Sequence, residues 1–374
     1  MITTQRTDFF GPARPTLFAR DAAIATSHPL ATAAGLEVLQ AGGNAIDAAL
    51  AAVATQCVVE PAMTGIGGDC FVLYAPKGQP TVALNGSGRA PMAASVEALK
   101  AAGLTSEIPR TSPHAVTVPG AISAWTRLHA DYASLPLDRL FARAIDYAEN
   151  GYPITQRVAF DWADDAPLLA QDANASAFFL KDGKPLVAGD RHAQPLLGQR
   201  LRDIAAKGAA AFYEGETAHS VVRYLNSLGG LHTLDDFAAM TNGAFYTTPI
   251  ATEYRGYTVE ECPPNGQGLA ALMILNILSE FDLGKGMSLA DRVHLHAEAG
   301  KLAYYNRDAL LADPSAMTVP VETLLSRETA RRLAARIDMK RALPPALWDE
   351  PEHKDTVYIS VVDRDGNMVS FINS

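Results

Sequence analysis

Alternation of apolar and polar positions is clearest at the carboxyl end of this 374-residue chain. Residues 357–362 (Val-Tyr-Ile-Ser-Val-Val) and 368–372 (Met-Val-Ser-Phe-Ile) flank Asp365-Gly366-Asn367. β-Branched and aromatic residues on both sides of an Asp-Gly turn predict a β-hairpin. Elsewhere the pattern is mostly helical. Residues 31–40 carry apolar positions at helical spacing and stop at Gly42-Gly43; Asn44 then caps 45–58, which is apolar on most faces and reads as a buried helix. Short strands are predicted at 24–26 and 254–259, and a hairpin from 71–75 and 81–84. Further helices are predicted over 95–102, from Val118-Pro119-Gly120 to about 132, and over 137–149, 269–281 and 289–310. Thr233 and Asp236 have the spacing of a capping box.

Composition narrows this picture. With 48% hydrophobic residues the chain can bury a sizeable core, as one large α/β domain or two smaller ones. A net charge of −10 argues against nucleic acid as a partner. Cys57, Cys70 and Cys262 are far apart and odd in number, so they read as buried free thiols in a reducing compartment. The first ten residues lack the apolar stretch of a signal peptide, and the longest apolar run, 45–59, is too short to span a membrane. The expected location is cytoplasmic, with no membrane partner.

Taken one at a time, the candidate chemical groups have plain structural explanations. His28-Pro29 suits a helix start. The glycine-rich residues 64–71 fit neither a P-loop nor a dinucleotide fingerprint and read as a tight turn where strands approach closely. Asp161, Asp164 and Asp165 read as a solvated helix face. His294 and Glu298 have zinc-ligand spacing but lack a matching third ligand, so no metal and no cofactor are expected.

Order and spacing of the segments add a resemblance. Asp355-Thr356, with Ser360-Val361-Val362-Asp363 and Asp365-Gly366-Asn367, resembles the cleavage site and first small-subunit strands of the gamma-glutamyltranspeptidase family, which belongs to the N-terminal-nucleophile hydrolases. The run Ala41-Gly42-Gly43-Asn44-Ala45-Ile46-Asp47, the loop Gly65-Ile66-Gly67-Gly68, Val118-Pro119-Gly120 and the double proline Pro263-Pro264 before an apolar helix are similar to family segments in the same order. The resemblance covers about residues 24–374. It implies an α+β fold, an αββα sandwich of two stacked antiparallel sheets between helices, incomplete in this chain. Residues 1–355 would form the large-subunit region and 356–374 the start of a truncated small catalytic subunit.

The resemblance also implies a mechanism. The precursor would cut itself between Asp355 and Thr356, leaving Thr356 as nucleophile. Its freed α-amine would be the base, since a pKa of roughly 7.7–8.0 lies near working pH. Ser374 stands where the family has a threonine whose hydroxyl assists. The chain as given is expected not to cleave, for want of supporting strands. For substrate, the family pattern Asp-x-Arg-Glu-x-Ala-Pro reads here Asn85-Gly86-Ser87-Gly88-Arg89-Ala90-Pro91. Ser87 therefore occupies the position of the arginine that holds the glutamyl carboxylate, and Arg89 lies two residues later on the same side of an extended chain. Both are candidate substrate-binding residues. The implied function is cleavage of gamma-glutamyl, glutathione-type amides through a threonyl acyl-enzyme. The alternatives are an amidohydrolase or acylase acting on a non-glutamyl amide (a small amide such as oxamate, or a cephalosporin-type acyl group) and a non-catalytic homologue. The implied partners are a small-molecule amide, water or an amine acceptor, and the large and small subunits paired after self-cleavage.

Overall fold

Two helices joined at Asn44 carry the sheet, and local chemistry sets where each begins. In the computed structural model, which describes residues 16–284, 286–344 and 356–374, α1 (Pro29–Gln40) and α2 (Ala45–Val59) match the predicted segments within two residues. His28 caps α1, its Nδ1 accepting the Leu30 N–H at 3.1 Å. Asn44 accepts the Ile46 and Asp47 N–H groups while Asp47 accepts that of Asn44, a reciprocal capping box. Every residue of α2 is buried. Most of its polar side-chain groups are paired: Thr55 donates to the Ala51 carbonyl, Gln56 donates to Ser27 and Glu60 while its buried Oε1 meets no partner among the described residues, and Asp47 accepts from Ser134 and Leu135. Alanine-rich faces let neighbouring elements approach closely, and each fully buried Val or Leu adds about 1.5–3 kcal/mol.

Under α2 lies one antiparallel sheet. Its strands are β1 (Ala23–Ala25), β2 (Cys70–Ala75), β3 (Val82–Gly86) and β4 (Phe245–Thr247), followed, after a separate hairpin β5 (Ile250–Tyr254) and β6 (Tyr257–Glu261), by β7 (Val357–Val362) and β8 (Met368–Asn373). Their order is β1-β7-β8-β2-β3-β4, so the last hairpin of the chain sits inside the sheet, paired on both sides. One face buries Val357, Ile359, Val361, Val369, Phe371, Val72 and Tyr74 beneath α2 and α3 (Ala121–Tyr132). Behind these, α4 (Ala142–Asn150) packs on α2, and α5 (Pro195–Lys207) on α4. The opposite face is open: Tyr358 and Met368 are each 50% exposed. Of the two stacked sheets expected, the described residues form this one, with small two-stranded pairs elsewhere.

The junction of β3 and α3 depends on glycine. A Cβ on Gly120 would lie 2.2 Å from the Gly86 carbonyl oxygen and 2.5 Å from the Gly88 nitrogen, where only backbone can yield. Gly120→Ala is therefore expected to cost about 1–3 kcal/mol as the strand and helix separate, read as a lowered urea midpoint with unchanged slope. An unchanged midpoint would show that this junction has slack.

Three sequence expectations need correction. Residues 254–259 are not one strand: Arg255 (φ 54°) and Gly256 (φ 83°) make a two-residue turn between β5 and β6. Positive φ at both central positions gives the tight turn that suits strand twist. The single helix predicted over 137–149 is two, Leu137–Leu140 and α4, broken at buried Phe141, whose ring meets Trp125 edge-on at 6.1 Å. The hairpin strand predicted at 81–84 runs on to Gly86. A second small core forms where α6 (Gly268–Leu278) packs on α7 (Leu289–Leu310) and on β5. Among the described residues no helix is long and apolar enough to cross a membrane.

Candidate active site

Hairpin register brings the two hydroxyls together. β7 pairs with β8 so that Val357 faces Asn373 and Val362 faces Met368, which sets Thr356 opposite Ser374 one step beyond the ladder. Thr356 Oγ1 and Ser374 Oγ share a hydrogen bond at 2.8 Å. The far end is pinned by Asp363, which accepts the N–H groups of Asp365 and Asn367 and the side-chain amide of Asn367.

The Ser374 end is held from below. Asn373 is fully buried; its Oδ1 accepts Trp125 Nε1–H at 3.0 Å and its Nδ2 donates to Thr64 Oγ1 at 2.8 Å. Ser374 donates its N–H to the Asp69 carbonyl at 3.1 Å. Residues 64–69 thus form the close strand-to-turn contact expected of them, and Gly68 is needed there, because a Cβ would lie 1.6 Å from the Ser374 carbonyl oxygen. Sequence reasoning missed the side chain that follows. Asp69 turns its carboxyl into the same cleft, where burial raises its pKa while a bond from Ser374 works against that rise. The available signal was chemical: an acid standing within a run of glycines.

Thr356, Ser374, Asp69, Ser87, Glu261 and Asn265 line an open cleft of about 510 Å³. Its side wall is a neutral amide–hydroxyl cluster. Asn85 Nδ2 donates to Asn265 Oδ1 at 2.9 Å, Asn265 Nδ2 donates to Ser87 Oγ at 3.0 Å, and Asn85 Oδ1 accepts the Ser87 N–H at 3.0 Å. The described residues lining the cleft include two carboxyls, Asp69 and Glu261, but no lysine or arginine. Burial pushes the Glu261 carboxyl up, and pushes the Cys262 thiol up to about 12. Cys57 and Cys70 are buried free thiols as expected, whereas Cys262 is only half-buried in the cleft wall.

The two substrate-binding candidates part company. Ser87 lies in the cleft; Arg89 is exposed and does not line it. Gly88, at φ 79°, ends the extended run, and Arg89 instead makes a backbone bridge to Val118. Its charge reaches Asp313, whose carboxyl is held below the usual range chiefly by Ser315, with Arg89 adding to the effect. Asp355, the other half of the expected scissile bond, and the amino-terminal ten residues lie outside the described residues.

The remaining sequence candidates have other uses. Asp161 pairs with Arg157 at 2.8 Å, and its side chain is largely covered where a solvated helix face was expected, while the Arg157 side chain is exposed. His294 Nε2 lies 2.9 Å from the Asp338 carbonyl, and buried Glu298 pairs with Lys301 at 2.5 Å and accepts the Leu343 N–H. Among the described residues no three His, Cys, Asp or Glu side chains are grouped to hold a metal.

Comparison with known proteins bears on the family and the fold. The family profile described as Gamma-glutamyltranspeptidase matches residues 31–374. The chain is 38% identical over 354 residues to the glutathione hydrolase-like YwrD proenzyme of Bacillus subtilis, covering 94% of this chain and 66% of that protein. It is 36% identical to the acylase ACY 1 proenzyme of a Pseudomonas species, covering 93% of this chain and 64% of the relative. The crystal structure of cephalosporin acylase from Bacillus halodurans superposes with a TM-score of 0.89 at 39% identity, covering all of this chain and 69% of that one. The chain thus spans about two-thirds of the length of the curated relatives it matches, and its fold class is that of the N-terminal-nucleophile hydrolases, as expected. From the profile match, these identities and the shared fold, the chain belongs to the gamma-glutamyltranspeptidase family.

Proposed function

We propose that the protein is a self-cleaving amidohydrolase or acyltransferase with Thr356 as nucleophile, divided on maturation into a region ending at 355 and one beginning at 356. The observation that carries this reading is the Thr356–Ser374 hydroxyl pair at the head of β7, open to the cleft. Once the preceding bond is cut, the Thr356 α-amine takes the hydroxyl proton and Oγ1 adds to the substrate amide carbonyl. The carbon–nitrogen bond breaks, the amine leaves with that proton, and water or an acceptor amine resolves the threonyl ester. β7 and β8 lie between β1 and β2, so hydrogen bonds on both sides would keep the cut pieces together.

For the acyl group, the cleft favours a neutral or weakly polar one. Ser87 and Asn265, braced from behind by buried Asn85, offer amide and hydroxyl contacts, whereas a glutamyl carboxylate calls for a bidentate cation. The mature protein, expressed from its full gene, should therefore cleave neutral acyl anilides with a kcat/KM at least tenfold above that for gamma-glutamyl anilide; the reverse order would restore the glutamyl reading. Arg89→Ala should change kcat/KM less than threefold on either class. A loss of about ten- to a hundredfold confined to acidic substrates, the effect of removing a charge-assisted contact, would make Arg89 the clamp after all.

A further inference from the structure

We propose that Asp69 is the proton acceptor for self-cleavage, a positioning residue that acts on Thr356 through Ser374; this role rests on the threonine-nucleophile reading above. Before cleavage the Thr356 nitrogen is an amide and cannot serve as a base, so the hydroxyl needs another acceptor for its first reaction. The geometry supplies a short chain. Thr356 Oγ1 and Ser374 Oγ are 2.8 Å apart, and Ser374 lines the same cleft as the Asp69 carboxyl, whose ionised form it favours. The Asp69 backbone carbonyl accepts the Ser374 N–H at 3.1 Å, which fixes the two residues side by side.

The alternatives in the cleft are weaker. The Cys262 thiol, with a pKa near 12, holds little thiolate at neutral pH, and its sulfur faces the Val72 carbonyl. Glu261 lines the cleft from β6, on a separate hairpin, whereas the Asp69 backbone is bonded directly to Ser374 of the hydroxyl pair.

The step balances as follows. The Thr356 hydroxyl proton passes to Ser374 Oγ as the Ser374 proton passes to the Asp69 carboxylate. Thr356 oxygen bonds to the carbonyl carbon of residue 355, whose π pair moves onto its oxygen. Collapse of that intermediate breaks the carbon–nitrogen bond, and the nitrogen recovers the proton along the same path, leaving an ester and a free amine. One water then hydrolyses the ester, releasing the carboxyl of residue 355 and restoring the Thr356 hydroxyl. From that point the amine is the base, so Asp69 matters far more to maturation than to turnover.

Self-cleavage of the proenzyme expressed from its full gene, followed by intact mass, tests the proposal. Asp69→Asn keeps the side-chain size and the backbone bond to Ser374, and should slow cleavage by about 10²–10³-fold, the usual size of a general-base contribution. Ser374→Ala should slow it comparably, and the double variant should be no slower than the worse single variant, as expected of groups acting as one unit. The pH profile separates this role from a merely structural one. The wild-type rate should climb through the acid range and level off once Asp69, raised by burial, is ionised; Asp69→Asn should lack that limb. The titratable groups facing Asp69 are Cys70, Glu261 and Cys262. Burial raises both thiols, which stay protonated throughout that range, and Glu261→Gln should keep the limb whatever its effect on rate. If Asp69→Asn does not fold, Ser374→Ala carries the test and must lose the same limb. Cleavage of Asp69→Asn within threefold of wild type, a limb that persists without Asp69 or Ser374, or additive effects in the double variant would overturn the proposal while leaving Thr356 as nucleophile. A wild-type chain that is never cut would overturn both.

Discussion

Thr356→Ala, made in the protein expressed from its full gene, should leave a single uncut chain without measurable amidase activity, while the wild type resolves into two pieces. The expected loss in kcat is on the order of 10⁴–10⁶-fold, the range seen when a covalent nucleophile is removed from a site whose members act together. The fold should survive the change. Thr356 stands one step outside the β7–β8 ladder and is exposed, so replacing it removes a hydroxyl and a methyl group without opening the core. Thr356→Ser gives the finer reading: it keeps the nucleophilic oxygen and should still cleave, though more slowly, because without the γ-methyl group more χ1 rotamers are open to the hydroxyl. Two bands and full activity from Thr356→Ala would end the threonine mechanism for this protein.

Much of what positions Thr356 was legible, because the signals are local. Residues 289–310 were read as one helix and form one, with Ser288 capping its start through the Asp291 N–H. The last hairpin is readable in the same way, and its register also sets what lies beyond the ladder. Counting outward from the Asp363–Asn367 turn places 356 opposite 374, so the hydroxyl pair follows from pairing geometry as well as from resemblance. What escaped the sequence depends on contacts between distant segments or on a single backbone angle. Asp69 meets Ser374 only because Gly68 allows the backbone to approach, across 305 residues of chain. Arg89 leaves the cleft because Gly88 adopts positive φ, which residue spacing along an ideal strand cannot anticipate. The Arg255-Gly256 turn was hidden for a similar reason: arginine at positive φ is uncommon, and a run of β-formers around it reads as continuous strand.

The largest stability effect is expected at Asp363→Ala, because this one carboxylate joins the helix layer to the hairpin that carries Thr356 and Ser374. Asp363 is 3% exposed and accepts four hydrogen bonds: from the Ala45 N–H at 3.0 Å, the Asp365 N–H at 3.0 Å, the Asn367 N–H at 2.9 Å and the Asn367 side-chain amide at 2.8 Å. Asn44 satisfies the second and third N–H groups of α2, so Asp363, arriving from 318 residues away, supplies the acceptor for the first. Its negative charge also faces the positive end of the helix dipole. Alanine would leave the Ala45 N–H buried without a partner and release the turn that holds β7 against β8. A buried donor left unpaired costs about 1–3 kcal/mol, bonds to a charged group about 1.5–3 kcal/mol, and loss of the dipole interaction up to about 2 kcal/mol. Together these point to a loss of about 4 kcal/mol or more, a large part of the 5–15 kcal/mol typical of folded domains. Asp363→Asn keeps the shape and one acceptor oxygen, and should lose roughly half as much. Because the same hairpin register sets Thr356 opposite Ser374, the alanine variant should also mature more slowly at a temperature where it is still folded. Urea unfolding of the uncleavable Thr356→Ala background isolates the stability term from the cleavage term. A midpoint for the added Asp363→Ala change that corresponds to less than 1 kcal/mol would mean that water replaces the carboxylate at the α2 terminus and that the hairpin holds its register by strand pairing alone.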